Sequence, residues 1–182
     1  MIEIKTLEIA GMRSVLDALH LPFGKECRSN VCSLASYNEE RRIFTSNSSS
    51  IINDKDLHLL SALVKRGDEH AKVLRGLNVW AEIYAPRYFW CVMDTYRIGT
   101  ERLASESTMH IQGKGLSTGE LVKMKSELKE GTMQKRIQMF SYQCLRRIWI
   151  QRHNHRLPEW HGFCTWIESL PLSKELIIVG LN

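Results

Sequence analysis

"NVWAEIYAPRYFWCVMDTYRIGTERLASEST" runs from residue 78 to residue 108, and its reading decides the fold. It opens with an alternation: Val79, Ala81 and Ile83 on one side, Trp80, Glu82 and Tyr84 on the other. Period two predicts a strand with one face buried. Pro86 then suits the first turn of a helix, where its missing N–H leaves no donor unsatisfied. Phe89, Val92, Met93 and Tyr96 follow at helical spacing, with Arg87 and Asp94 seven residues apart on a shared face. The polar remainder, "DTYRIGTERLASEST" at 94–108, reads either as a solvated turn or as a loop for something anionic.

Upstream, "IEIKTLEIA" at 2–10 predicts a strand whose apolar positions, Ile2, Ile4, Leu7 and Ile9, slip midway. "GMRSVLDALHLPFG" predicts a short helix ending before Pro22. Residues 24–52 are weakly patterned and are expected to be a mobile loop within a single 1–182 domain. Asn53 is a good N-cap for a helix burying Leu57, Leu60 and Val64 and stopping at Gly67. Asp68 caps a further expected helix, "EHAKVLRGL".

Downstream, "STGE" at 117–120 is a capping box opening a helix with Leu121, Met124 and Leu128 inside. "TMQKRIQMFSYQCLRRIWIQRHN" predicts the longest helix, with a stripe of Met133, Ile137, Phe140, Cys144 and Ile148 and a polar face of Arg136, Gln143, Arg147 and Gln151. "PEWHGFCTWIESL" predicts a helix burying Trp160, Phe163, Ile167 and Leu170, and "ELIIVG" a closing strand. Strands and helices mixed without βαβ alternation give an α+β class.

The 182 residues carry a net charge of +5, which favours anionic ligands. Five cysteines form no regular framework, the N-terminus has no apolar leader, and no apolar run nears the ~20 residues of a membrane span. The expectation is a reduced, cytoplasmic protein with free thiols. Cys27 and Cys32 lack a matching second pair, and His153 and His155 would diverge on a helix, so spacing predicts no metal site. Cys91, inside the aromatic helix, is expected to be buried and inert. There is no G-x-G-x-x-G or G-K-[ST] loop. The arginines are more informative, because guanidinium forks match phosphate oxygens.

On these residues the stretch 68–108 resembles the flavin-dependent thymidylate synthases, the ThyX or Thy1 family. Its motif is R-H-R, seven residues, then a serine. Thr95-Tyr96-Arg97 stands at R-H-R, and Ser105 follows in register. Arg87 lies ten residues before Arg97, where many members carry an arginine. "LRRIWIQR" and "LPEWHGFCTWIESLPL" resemble the family's C-terminal helix pair, extending the likeness to residue 170.

The resemblance implies an antiparallel sheet flanked by helices, a homotetramer with sites between subunits, FAD as cofactor and a nucleoside monophosphate as substrate. Several family positions differ here. Thr95 and Tyr96 replace the Arg and His that help hold flavin, Val92 replaces a nucleotide-contacting glutamine, and Leu74-Arg75 replaces a Glu-His pair. Ser105-Glu106-Ser107-Thr108 stands at S-x-R-Y, whose arginine binds substrate phosphate.

The expected function is therefore nucleotide binding without thymidylate synthesis. In the short phage and Firmicute ThyX-like proteins that the chain also resembles, that would suit sequestering or processing a nucleotide-derived signal of host immunity, an anti-defence role. An active flavin-dependent methyltransferase is one alternative. A nucleic-acid or protein interaction module is another. Arg87, Arg97 and Ser105 are expected at phosphate, Tyr88 and Tyr96 as stacking partners, and Arg147 and Gln151 to complete the site from the same or a neighbouring subunit.

Overall fold

The structure, a computed structural model, describes residues 2–27, 29, 35–38, 43–46 and 52–180. Strands β1 (Glu3–Ala10), β2 (Ala35–Asn38), β3 (Ile43–Ser46), β4 (Asn78–Pro86), β5 (Thr100–Ser105) and β6 (Met133–Ser141) form one sheet in the order β3-β2-β1-β4-β6-β5. Every recorded strand pairing is antiparallel. The α+β class and the helix-flanked antiparallel sheet are those expected. The slip in the first strand is a bulge at Leu7, where pairing with β4 shifts between Thr6 and Glu8. The bulge restores Ile9 to the buried face after the extra residue.

Alternation along β4 sorts the two faces. Val79, Ala81, Ile83 and Ala85 are fully buried, while Trp80, Glu82 and Tyr84 are half-buried. The buried face packs under α1 (Met12–His20), α2 (Asp54–Lys65), α3 (Arg87–Met93), α6 (Tyr142–Arg152) and α7 (Pro158–Ser169). Phe89, Trp90, Phe140, Trp160 and Phe163 form its aromatic centre, with the Phe89 and Trp160 rings 4.6 Å apart. Short helices α4 (Thr108–Ile111) and α5 (Thr118–Ser126) follow β5, and α8 (Ser173–Leu176) ends the fold.

Several capping expectations hold. The Lys55 N–H donates to Asn53 Oδ1 at 2.9 Å. The Ser117 N–H donates to Glu120 Oε2 at 2.8 Å, completing the capping box. On α2, Leu60 and Val64 are buried, but Leu57 is only half-buried and Asp56 lies inward instead.

Other expectations are corrected. The predicted long helix is β6 followed by α6. Its first half places Arg136, Gln138 and Phe140 on the buried face at period two, and Ser141 caps α6 by accepting from the Cys144 N–H at 3.2 Å. The apolar stripe mimicked a helical period because strand and helix both aim residues at one core. Within 94–108 the chain forms β5, not a loop throughout. Residues 24–52 hold β2 and β3, which extend the sheet; positions 28, 30–34, 39–42 and 47–51 of that predicted loop lie outside the described residues. "EHAKVLRGL" forms only a short 3-10 helix, Ala71–Arg75. "ELIIVG" is not a strand: the buried Arg146 guanidinium donates to the Ile177 and Val179 carbonyls, satisfying backbone that a sheet would otherwise pair. Among the described residues no helix is long and apolar enough to cross a membrane.

Candidate functional site

The polar stretch after α3 folds back along the sheet edge. Gly99, at φ +83°, turns it, and the Ser141 N–H donates to the Gly99 carbonyl at 2.7 Å. In register, Arg102 faces Gln138 and Ser105 faces Arg136 across β5 and β6. These side chains share the helix-side face of the sheet, where Arg136 and Gln138 are buried and Arg102 and Ser105 are exposed.

Two adjoining clefts result. The first, of about 370 Å³, is lined by Asp94, Tyr96, Arg97, Thr100, Arg102 and Gln138, among others. The second, of about 320 Å³, includes Arg87, Cys91, Lys125, Gln134 and Arg136. The wall between them is an ion pair in which Arg136 Nη1 donates to Asp94 Oδ1 at 2.7 Å. Arg136 is itself held by Trp90, its guanidinium carbon 4.4 Å from the ring centroid. The other Asp94 oxygen lies 3.8 Å from Arg102 Nη1.

The first cleft has two unspent handles. Gln138 is 3% exposed and its Oε1 has no hydrogen-bond partner. A buried, unpaired amide oxygen costs free energy unless something donates to it. Arg97 is exposed, and its guanidinium makes no ion pair with any described residue.

Tyr96 is held by two neighbours remote in sequence. Its hydroxyl donates to Gln151 Oε1 at 2.9 Å and accepts from Arg152 Nε at 2.8 Å. Arg152 also stacks over Trp160, 4.9 Å from that ring's centroid. Thr95 Oγ1 donates to the Val92 carbonyl at 2.7 Å. Both side chains standing at the flavin-holding positions of the R-H-R motif thus have their hydroxyl donors committed inside the chain. They do not fit the role of holding a flavin.

Arg97 and Tyr96 therefore line the first cleft and Arg87 the second, while Gln151 lines neither and is tied to the first only through Tyr96, and Ser105 stands opposite Arg136 on the edge strand. Tyr88 and Arg147 line neither. The Tyr88 hydroxyl donates to the buried Glu159 at 2.7 Å. That hydrogen bond, burial and the Glu159 charge hold its phenol above its ordinary pKa. Arg147 Nε donates to Asp68 Oδ2 at 2.7 Å. Because Tyr88 supplies the recorded partner of Glu159, whose other oxygen is buried without one, Tyr88→Phe should cost about 1 kcal/mol of stability in urea denaturation. An unchanged midpoint would show that the pair contributes nothing.

Sequence reading missed Gln138 and saw Arg136 and Arg152 as helix-face arginines without choosing them for the site. The signal for the first two was present in the Gln134-Arg136-Gln138-Phe140 alternation.

Cys91 corrects another expectation. It faces solvent at the second cleft, because Phe89, Trp90 and Met93 take the inward positions of α3. Burial pushes the Cys144 thiol up to about 11 and the Cys164 thiol, with help from Glu168, up to about 12. Thiolate is the reacting form. Iodoacetamide at pH 8 should therefore label Cys91 and spare Cys144 and Cys164 in the folded protein, as read by peptide mass spectrometry. Labelling of Cys144 at a rate matching Cys91 would contradict this.

A larger cavity, about 590 Å³, lies on the other sheet face. Glu3, Glu82 and Glu106 line it, and Lys135 is drawn toward Glu82 at 3.4 Å. Lys5 and Lys135 offset those carboxylates only in part, so the arginine clefts, with Arg97, Arg102 and Arg87, are the better anion site.

No family model and no curated protein matches the chain. Solved structures do. A flavin-dependent thymidylate synthase ThyX from Helicobacter pylori, complexed with FAD and dUMP, superposes with a TM-score of 0.66 at 12% identity, covering 96% of this chain and 97% of that one. A second ThyX structure from Helicobacter pylori, also with FAD and dUMP, gives 0.68 at 12% identity with all of both chains covered. A UMP/dUMP methylase PolB from Streptomyces cacaoi, bound with 5-Br dUMP, gives 0.62 at 10% identity, covering 99% and 93%. The likeness runs the length of the chain at an identity that speaks for architecture alone, and the architecture is that of the flavin-dependent thymidylate synthases.

Proposed function

We propose that this chain is a ThyX-like nucleotide-binding protein that does not make thymidylate. The observation that carries the reading is the buried, unpartnered Gln138 oxygen in a cleft rimmed by Arg97 and Arg102. The guanidinium groups are fitting partners for a phosphate, and rotation of the Gln138 amide toward the cleft would offer its oxygen to a nucleobase N–H. Arg87 and Lys125 in the adjoining cleft suit a second phosphate, so a ligand with more than one is favoured. The dUMP and 5-Br dUMP named with the similar structures support the same ligand class.

The loss of synthase activity rests on Thr95 and Tyr96, whose donors are committed internally. Self-association, as a tetramer on the family's pattern, fits the exposed edge: Ile98 is 75% and Leu103 57% exposed beside the cleft. A role in sequestering or processing a nucleotide-derived immune signal is the use such a cleft would serve in a phage.

Native mass spectrometry of the purified protein, followed by calorimetry with dUMP, ADP-ribose and a cyclic dinucleotide, tests the reading. A co-purified nucleotide, or binding to one of the panel, is expected. A ligand-free protein with no affinity for any of them overturns it. The retained Arg97–Ser105 spacing keeps a working flavoenzyme as the second reading. Flavin absorbance and rescue of a thymidine auxotroph would establish that one instead.

A further inference from the structure

His20, Cys27 and Asp56 meet on parts of the chain that line neither arginine cleft. His20 ends α1, Cys27 lies in the chain that follows, and Asp56 sits in the first turn of α2. His20 Nε2 is 2.8 Å from Asp56 Oδ1, and Cys27 Sγ is 3.9 Å from Asp56 Oδ2. The three ligand-type atoms all lie within 4.8 Å of one another. Asp56 is 6% exposed and the other two are half-buried.

We propose that these three side chains bind a zinc ion. The donor set is an imidazole nitrogen, a thiol sulfur and a carboxylate oxygen, the mixture that zinc takes and that hard cations such as magnesium do not. Zinc bonds of about 2.0–2.3 Å in tetrahedral geometry put ligand atoms about 3.3–3.8 Å apart. The present spacings bracket that range, so small side-chain adjustments admit the ion. Three protein ligands leave a fourth position for water.

The surroundings are those of a supported metal site. Ser29 Oγ donates to Asp56 Oδ2 at 2.6 Å, and the Asn53 N–H donates to that Oγ at 3.0 Å. The Ser29 N–H donates to Cys27 Sγ at 3.4 Å, which orients the sulfur. Such outer partners orient ligands and tune them. Ser29 is 3% exposed, so it does this from a dry position. Among the three ligand groups only His20 and Asp56 are in close contact, and the contacts in which the Cys27 thiol donates, to Asp56 Oδ2 at 3.9 Å and to the Ser29 carbonyl at 4.0 Å, are long.

Metal analysis of the untagged full-length protein purified without chelator should find about one zinc per chain. After chelation, cobalt(II) should give a thiolate-to-cobalt charge-transfer band in the near ultraviolet, and zinc should raise the Tm. Cys27→Ser should abolish the band, and Ser29→Ala should weaken zinc binding about 10–100-fold. Circular dichroism of each variant checks that it is folded. Folded wild-type protein that holds no zinc, gives no cobalt band and shows no Tm shift overturns the proposal. So does a folded Cys27→Ser variant that binds zinc as tightly as wild type.

Discussion

Gly99→Val is expected to destabilise the protein by about 3–6 kcal/mol and to abolish nucleotide binding. Three costs add. Gly99 sits at φ +83°, where an L side chain is disfavoured by about 1–2 kcal/mol and a β-branched one by more. A Cβ there would lie 2.4 Å from Ser141 Oγ and 3.1 Å from Cys144 Cβ. Ser141 Oγ cannot simply swing away, because it accepts from the Cys144 N–H as the N-cap of α6, and losing a cap costs about 1 kcal/mol. Forcing the remaining bulk against Cys144 adds the usual overpacking cost of about 1–3 kcal/mol. The same turn carries Arg97 and leads into β5, so relief of the clash moves the cleft wall. Urea denaturation reads the stability, and calorimetry with the member of the nucleotide panel that the wild-type protein binds reads the binding. A midpoint within error of wild type would mean that the turn can close without its left-handed residue.

Arg97→Ala is expected to weaken nucleotide binding by about 10–150-fold while leaving the fold intact. A charge-assisted hydrogen bond to a bound anion is worth about 1.5–3 kcal/mol, and each 1.4 kcal/mol is tenfold in affinity. Arg97 is exposed and pairs with no described carboxylate, so its removal leaves no described charge orphaned and its cost should fall on the complex alone. Arg102→Ala provides the contrast, since Arg102 already lies 3.8 Å from Asp94 and part of its charge is answered within the chain. Its effect should be smaller. If Arg97→Ala binds as wild type does, the ligand lies elsewhere. Raising salt should weaken the wild-type complex more than the variant, because exposed charge attraction is screened.

Much of the local structure was legible in the residues themselves. The β4 alternation, the Asn53 cap, the Ser117–Glu120 capping box and the Trp160-Phe163-Ile167 stripe were each read correctly, because each is set by neighbours within a few residues. The spacing from Arg97 to Ser105 pointed to the right fold even at 12% identity to the solved structures. Of the residues singled out in the sequence, Arg97 and Tyr96 line one cleft and Arg87 its neighbour.

What failed did so for a common reason. Residues 133–141 can present an apolar stripe as helix or strand, and pairing with β4 on one side and β5 on the other settled it. Cys91 shares α3 with buried aromatics, and only the packing of that helix decided which face turned outward. Tyr88 went to Glu159, 71 residues away, and Tyr96 to Gln151, 55 away. The His20–Asp56 contact spans 36 residues and leaves no spacing signature at all. The sequence by itself determined which segments were amphipathic, where helices began and which fold lineage the chain resembles, since those follow from short-range periodicity and motif spacing. Only the tertiary structure decided which polar groups were buried without partners and which converged, because hydrogen-bond satisfaction depends on chain segments that local pattern cannot bring together.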